Sequence, residues 1–247
     1  MIHFIESVCA EALEARFRFF QHPASREAIR LGALLAEHSA GNQPRAHALL
    51  ALMLLNGARL PTRVDADGNI LRLEEQNRSQ WDQSMIARGL YHLMQSTAGD
   101  EASEYHLQAA ISACHCAAQD YEATDWPRIL SLYDRLIEID DSPVVALNRA
   151  VAVANVRGPR AGIEAVEAIH ARQQLNCYYL LYAVLGEFEA DSLGYDDKQK
   201  QKKIKDRPRG DMGQARKTIL LHSLWLLYRG ILEITASSFA VFGSWSP

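Results

Sequence analysis

Residues 54–81 read LLNGARLPTRVDADGNILRLEEQNRSQW, and this stretch decides the fold. Leu49 to Leu55 is an apolar run suited to a buried helix. Asn56-Gly57 can end it, and Pro61 blocks an easy continuation because proline has no N–H for the helical ladder. Val64 to Ile70 supplies turn residues between two short alternating segments, which predicts a small hairpin or tight loop near residues 62–75, closing on Leu71 and Leu73. A helix is expected to restart near Ser79. Asp65, Asp67, Gly68, Arg78, Trp81 and Asp82 form a fixed arrangement of charged, aromatic and turn residues that helix packing alone does not demand.

Outward from this stretch the chain reads as all-α. Ile29, Ala33 and Ala36, with Leu34 and Leu35, mark an apolar stripe from Ser25 to Glu37; Gly41-Asn42-Gln43-Pro44 breaks it, and Ala46 to Leu55 returns as a partner. Downstream, Ile86, Leu90, Leu93 and Met94 mark one helix, and Leu107, Ala110, Ile111 and Cys114 mark another. Thr124-Asp125 ahead of Trp126-Pro127 combines a capping oxygen with a first-turn proline, opening a helix through Ile129, Leu132, Tyr133, Leu136 and Ile137. Ser142-Pro143 opens the next, Gly158-Pro159 turns it, and Ala161 to Ala171 runs back. The unit from Pro143 to about Tyr178 is close to the tetratricopeptide period of about 34 residues, but without its aromatic consensus. The expected architecture is therefore helical hairpins stacked as degenerate tetratricopeptide-like repeats, a form that presents surface for protein partners.

Charge is unevenly spread. Residues 1–197 hold 16 arginines, no lysine and 27 acidic residues, a net of −11, whereas residues 198–247 hold 10 basic and 3 acidic residues, a net of +7. An acidic body is the wrong surface for DNA, so direct DNA binding is not expected. The lysine-rich run after residue 197 lacks the interleaved aromatics of a base-stacking surface. Cys9, Cys114, Cys116 and Cys177 show no disulfide framework, and Glu6, Glu11 and Glu14 stand where a signal peptide would be basic and then apolar, so a reducing, cytoplasmic setting is expected. His222, Arg229 and Glu233 interrupt the apolar stretch from Ile219 to Phe242, leaving no uncharged run near the roughly 20 residues a membrane span needs.

Two clusters resemble metal sites by composition. Asp65, Asp67, Gly68, Ile70 and Glu74 fall at the third, fifth, sixth, eighth and twelfth positions of a calcium loop, yet Arg63 occupies the first, where a cation opposes metal. Cys114-His115-Cys116 with His106 suggests zinc, but consecutive helical residues point about 100° apart. Neither metal nor cofactor is expected. No nucleophile-base constellation, phosphate-cradling glycine loop or HExxH motif is present, so the chain does not read as an enzyme.

The quoted stretch continues through Tyr105-His106-Leu107-Gln108-Ala109-Ala110-Ile111-Ser112-Ala113-Cys114-His115, then Thr124-Asp125-Trp126, then Ser142 to Ala154 with Asn148-Arg149 inside it. Blocks of these kinds in this order resemble the C-terminal, tetratricopeptide-like extension of one group of extracytoplasmic-function RNA polymerase sigma factors, the sigma-24-like group with a long C-terminal domain. The resemblance covers residues 24–190, leaving 1–23 as a non-matching segment and 191–247 as a divergent basic and then apolar tail, read as frameshifted or disordered. It implies a regulatory interaction domain separated from, or truncated of, the promoter-binding sigma regions, with RNA polymerase or sigma modules as partners. The alternative is a stand-alone helical-repeat adaptor. Asp65, Asp67, Gly68, Arg78, Trp81, Asp82, Asp125, Trp126, Asn148 and Arg149 are the signature residues, for structure or for partner contact. The sequence has Asn77 where the resemblance implies an aspartate.

Overall fold

The apolar run ahead of Asn56 becomes the central helix of its neighbourhood. α1 (Pro23–Glu37) and α2 (Pro44–Gly57) form the first hairpin, and α2 also carries α3 (Gln83–Gln95) and α4 (Glu104–Ala117). The computed structural model describes residues 23–63, 71–99, 102–170, 172–175 and 179–194. Ala48, Leu50, Ala51, Leu54 and Leu55 of α2 have no exposed surface, as befits a helix apolar on every side. Gln43 is extended, Pro44 occupies the first turn, and the N–H of Ala58 closes the far end on Leu54 O at 2.9 Å. Pro61 then lies in a 3-10 turn, Leu60–Thr62.

Among the described residues the secondary structure is helical, without a strand, and the helices pack as stacked hairpins: the all-α, repeat-like architecture predicted from the periodicity. The centre of the predicted 62–75 hairpin, with Asp65, Asp67 and Gly68, lies outside the described residues. Its two ends are drawn together by the Leu71 N–H, which donates to Arg63 O at 2.9 Å. A second 3-10 turn, Leu73–Glu75, follows. Glu74 is 2.6 Å from Arg72, and Glu75 accepts the Arg72 N–H at 2.7 Å.

The restart of the chain differs from expectation. Ser79 lies in a 3-10 turn, Arg78–Gln80, and the α-helix begins at Gln83 because the carboxylate of Asp82 captures the Met85 N–H at 2.9 Å. The inward face of α3 also differs. Leu90 and Met94, predicted to be core, are 40% and 61% exposed, while Ile86 and Gly89 are buried. Glycine decides this: a Cβ at position 89 would lie 2.7 Å from Leu55 Cγ, so α3 approaches α2 through its smallest residue. Leu31 and Leu34 of α1 are likewise 43% and 50% exposed. On α4 the most buried positions are Tyr105, Leu107, Ala109, Ile111 and Ser112, so Ala109 and Ser112 replace Ala110 and Cys114 of the predicted stripe.

The described residues divide into two compact units, the first ending at Thr124 and the second beginning at Asp125. In the second, α5 (Trp126–Ile139), α6 (Pro143–Arg157), α7 (Pro159–Glu167) and α8 (Tyr179–Ser192) pack each on the next. Gly158 makes the α6–α7 turn at φ +92°, a conformation L side chains avoid. α7 ends at Glu167, short of the expected Ala171, and a 3-10 turn, Arg172–Leu175, follows. Leu147, Ala150, Val166, Ile169, Leu175, Leu181, Leu185 and Phe188 form one core. No described helix is long and apolar enough to cross a membrane.

Candidate functional site

The described signature residues of the first unit, Arg78, Trp81 and Asp82, lie together around Trp81. This indole is 3% exposed, and its Nε1–H donates to Thr62 Oγ1 at 2.8 Å. The Thr62 hydroxyl donates in turn to Arg59 O at 3.1 Å. The guanidinium carbons of Arg59 and Arg78 lie 5.2 and 5.0 Å from the indole centroid, within cation–π range. The Asp82 N–H donates to Ala58 O at 3.0 Å, so the segment after the 3-10 turn is tied to the end of α2 just before α3 begins.

Arg78 extends the cluster to α4. Its Nη1 donates to the carbonyls of His115 and Ala118 at 2.8 and 2.9 Å, and its Nη2 to Thr124 Oγ1 at 3.2 Å. Helix C-termini leave their last carbonyls without intrahelical donors and carry partial negative charge, so a guanidinium there satisfies both needs. Burial lowers the Arg78 guanidinium from its usual range, and the carboxylates of Asp120 and Glu122 offset part of that cost. Asn77 Oδ1 accepts from the N–H and Oγ of Ser79 at 3.1 and 2.7 Å. An aspartate oxygen would accept the same bonds, so the turn does not need a charge at position 77.

Electrostatics under this clamp favour neutral groups. Burial, with smaller contributions from Arg59 and Arg78, pushes the His115 imidazolium down to about 3. Burial raises the Cys116 thiol, although the same two arginines pull the other way. The thiol donates to Leu55 O at 3.7 Å. A thiol held protonated is a poor nucleophile. An imidazole titrating that low does not exchange protons near neutral pH. What the arrangement does chemically is fix the mutual setting of α2, α3 and α4 by stacking and hydrogen bonding. Among the described residues no group of three or more His, Cys, Asp or Glu could hold a metal ion.

Comparisons with known proteins bear on this unit. Residues 12–97 match a family described as "Family of unknown function (DUF6596)". That span takes in Arg59, Thr62, Arg78, Trp81 and Asp82, but not Asp125, Trp126, Asn148 or Arg149. The chain is also 40% identical over 153 residues to the uncharacterized protein R00370 of Rhizobium meliloti (strain 1021). The match covers 62% of this chain and 36% of that protein, so the chain spans about a third of the length of the curated relative it matches. No solved structure matches the chain.

The remaining signature residues lie in the second unit and do not form one site. Asp125 Oδ1 caps α5 by accepting the Arg128 N–H at 3.0 Å, as its place before Trp126-Pro127 predicts. Trp126 is half-buried in the first turn of α5. Arg149 Nε donates to Asp134 Oδ1 at 2.7 Å, bridging α6 to α5, and Asn148 is exposed. Sequence reasoning missed Arg59, Thr62 and Thr124 as parts of the Trp81 cluster. The i,i+3 placement of Arg59 and Thr62 beside Pro61 is the signal that they share one turn. It also missed His47 and His92, whose contact joins residues 45 positions apart.

Proposed function

We propose that this chain is a regulatory interaction domain of the kind appended to extracytoplasmic-function sigma factors, acting by contact with RNA polymerase or a sigma module. The observation that carries an interaction role is the set of exposed apolar side chains on helices otherwise committed to the core: Leu31 and Leu34 on α1, and Leu90, Tyr91 and Met94 on α3. Single exposed apolar residues are ordinary, but five on two helices that both pack on α2 leave apolar surface available to a helical partner. The partner class follows from the ordered blocks that resemble the sigma-factor extension. Support for a part of a longer protein comes from the Rhizobium relative, of which the match covers 36%. A net of −11 over residues 1–197 disfavours DNA as the direct ligand.

Binding of the full chain to core RNA polymerase, and separately to isolated sigma regions 2 and 4, tests the reading by biolayer interferometry. Saturable binding to one of them, weakened at least about tenfold by Tyr91→Glu with Met94→Glu, is expected; the loss corresponds to about 1.4 kcal/mol. Failure to bind either, in a variant-independent way, would overturn the reading and leave the stand-alone adaptor.

A further inference from the structure

Three histidines of the first unit contact the C-terminal end of α3, and two of them, His47 and His106, do so with one ring nitrogen acting as an acceptor. His47 of α2 and His92 of α3 stack with centroids 5.1 Å apart, and their Nδ1 atoms are 2.9 Å apart. Asn42 Oδ1 lies 3.1 Å from His47 Nε2. An amide oxygen can only accept, so His47 carries its proton on Nε2 and offers a lone pair at Nδ1, and His92 is the Nδ1–H donor. His106 of α4 is fixed in the same way. Its Nδ1 accepts the Ser103 N–H at 3.0 Å, which leaves Nε2–H to donate to Ser96 O at 3.2 Å, in the 3-10 turn Ser96–Ala98 that ends α3.

A second proton on His47 or His106 destroys its acceptor nitrogen. On His92 it leaves the Nδ1–H donor in place but sets a cation beside His47, so the two rings oppose each other's charging. The N-terminal half of α3 is held without histidine: Asp82 caps it, Ile86 is buried, and Gly89 lies against Leu54 and Leu55. Position 92 and the residues after it add the histidine bonds to their packing on α2.

We propose that the end of α3, residues 92–98, is a proton-released segment, clasped to α2 and α4 by neutral His47, His92 and His106 and freed when they charge. The surrounding groups favour that reading. Burial lowers all three imidazoles, most directly for His47. Around His92, His47 and Arg88 also oppose protonation, while Glu37 of α1 favours it. Around His106, the Ser96 carbonyl and Glu104 favour the charged form and Arg45 opposes it. Arg45 and Glu104 are paired with each other at 2.9 Å, so their effects on His106 largely offset. Tyr91 meets His92 edge-on at 5.2 Å. Release would act on the segment that bears the 61%-exposed Met94. The inference stands on hydrogen-bond chemistry alone and does not depend on the partner proposed above.

Amide hydrogen exchange of the full chain at pH 7.5 and 5.5, corrected for intrinsic rates, reads the release directly. Protection of residues 92–98 is expected to fall at least about tenfold, with residues 83–89 changing less than threefold. His92→Gln and His106→Gln should each shrink that fall. Unchanged wild-type protection, or an equal fall in both variants, would overturn the proposal. Should a variant fail to fold, the wild-type imidazole 15N spectra decide. Nε2–H for His47 and His106 and Nδ1–H for His92, with titration displaced to low pH, are expected. Three ordinary titrations would overturn it.

Discussion

The two units solve one problem, joining consecutive helices, with different chemistry. Between α2 and α4 the first unit uses long polar side chains: Arg78 reaches three acceptors at 2.8, 2.9 and 3.2 Å, and Trp81 is buried with its N–H satisfied at 2.8 Å. The second unit, between α6 and α8, uses small residues. Gly158 turns the chain, and Gly162 lets Ala154 and Phe188 close on the backbone of α7. A polar clamp spans irregular connections whose backbone groups need partners. Close glycine contact serves a turn too short to leave any. Residues 57–83 call for the first solution and residues 157–159 for the second.

The sharpest way to break the comparison is Trp81→Ala. It removes a buried aromatic, takes away the donor to Thr62 Oγ1 and removes the ring under both guanidinium groups, so a loss of about 3–5 kcal/mol is expected in urea unfolding. Trp81→Phe keeps most of the volume and should cost only about 1 kcal/mol more than wild type. Hydrogen exchange then locates the damage. Protection should fall in α3 and α4 before α6, α7 and α8; an equal fall in all five would show that the two units unfold as one.

That asymmetry explains how far the sequence could be read. Helix starts were legible where a polar residue and a proline coincided, as at Asp125-Trp126-Pro127 or Ser142-Pro143. Faces were legible in part on α5, where Ile129 and Leu136 of the expected stripe are buried, Leu132, Tyr133 and Ile137 are half-buried, and Leu130 is buried outside it. They were not on α3, because periodicity counts large residues as core, and the close approach at Gly89 turns Leu90 and Met94 outward. Arg78, Trp81 and Asp82 stood out because irregular connections require particular side chains. Their partners did not, since the His115 and Ala118 carbonyls are backbone groups 37 and 40 residues away that carry no sequence signal. Asp65, Asp67 and Gly68 lie outside the described residues.

Acid should separate the units further. In the unfolded chain His115 takes its proton near the ordinary value of about 6.5, whereas in the fold it resists down to about 3. Between those values the unfolded state binds more protons, so stability is intact above about 6.5 and is lost progressively as pH falls, with no further loss from this group below about 3. The contribution is at most about 1.4 kcal/mol per pH unit. Urea midpoints for wild type and His115→Gln at pH 7.5, 6.0 and 5.0 measure it. The variant should lose less stability on acidification, and parallel pH curves would show that His115 is not held neutral.

Gly162 offers the smaller, complementary test in the second unit. Its φ is not in the left-handed region, so backbone freedom is not what glycine supplies there. Space is. A Cβ at this position would lie 2.6 Å from Ala154 Cβ and 2.8 Å from a Phe188 ring carbon, and a methyl on a neighbouring helix cannot swing aside as a long side chain can. Gly162→Ala should therefore cost about 1–3 kcal/mol, despite the better helix propensity of alanine, which would otherwise add about 1 kcal/mol of stability. Gly158→Ala separates the two roles of glycine in this connection, because no atom lies within 4 Å of its would-be Cβ and only the φ of +92° opposes the change. If Gly162→Ala were stabilising, α6, α7 and α8 would be loose enough to shift, and the second unit would lack the close helix contact that distinguishes it from the clamped first.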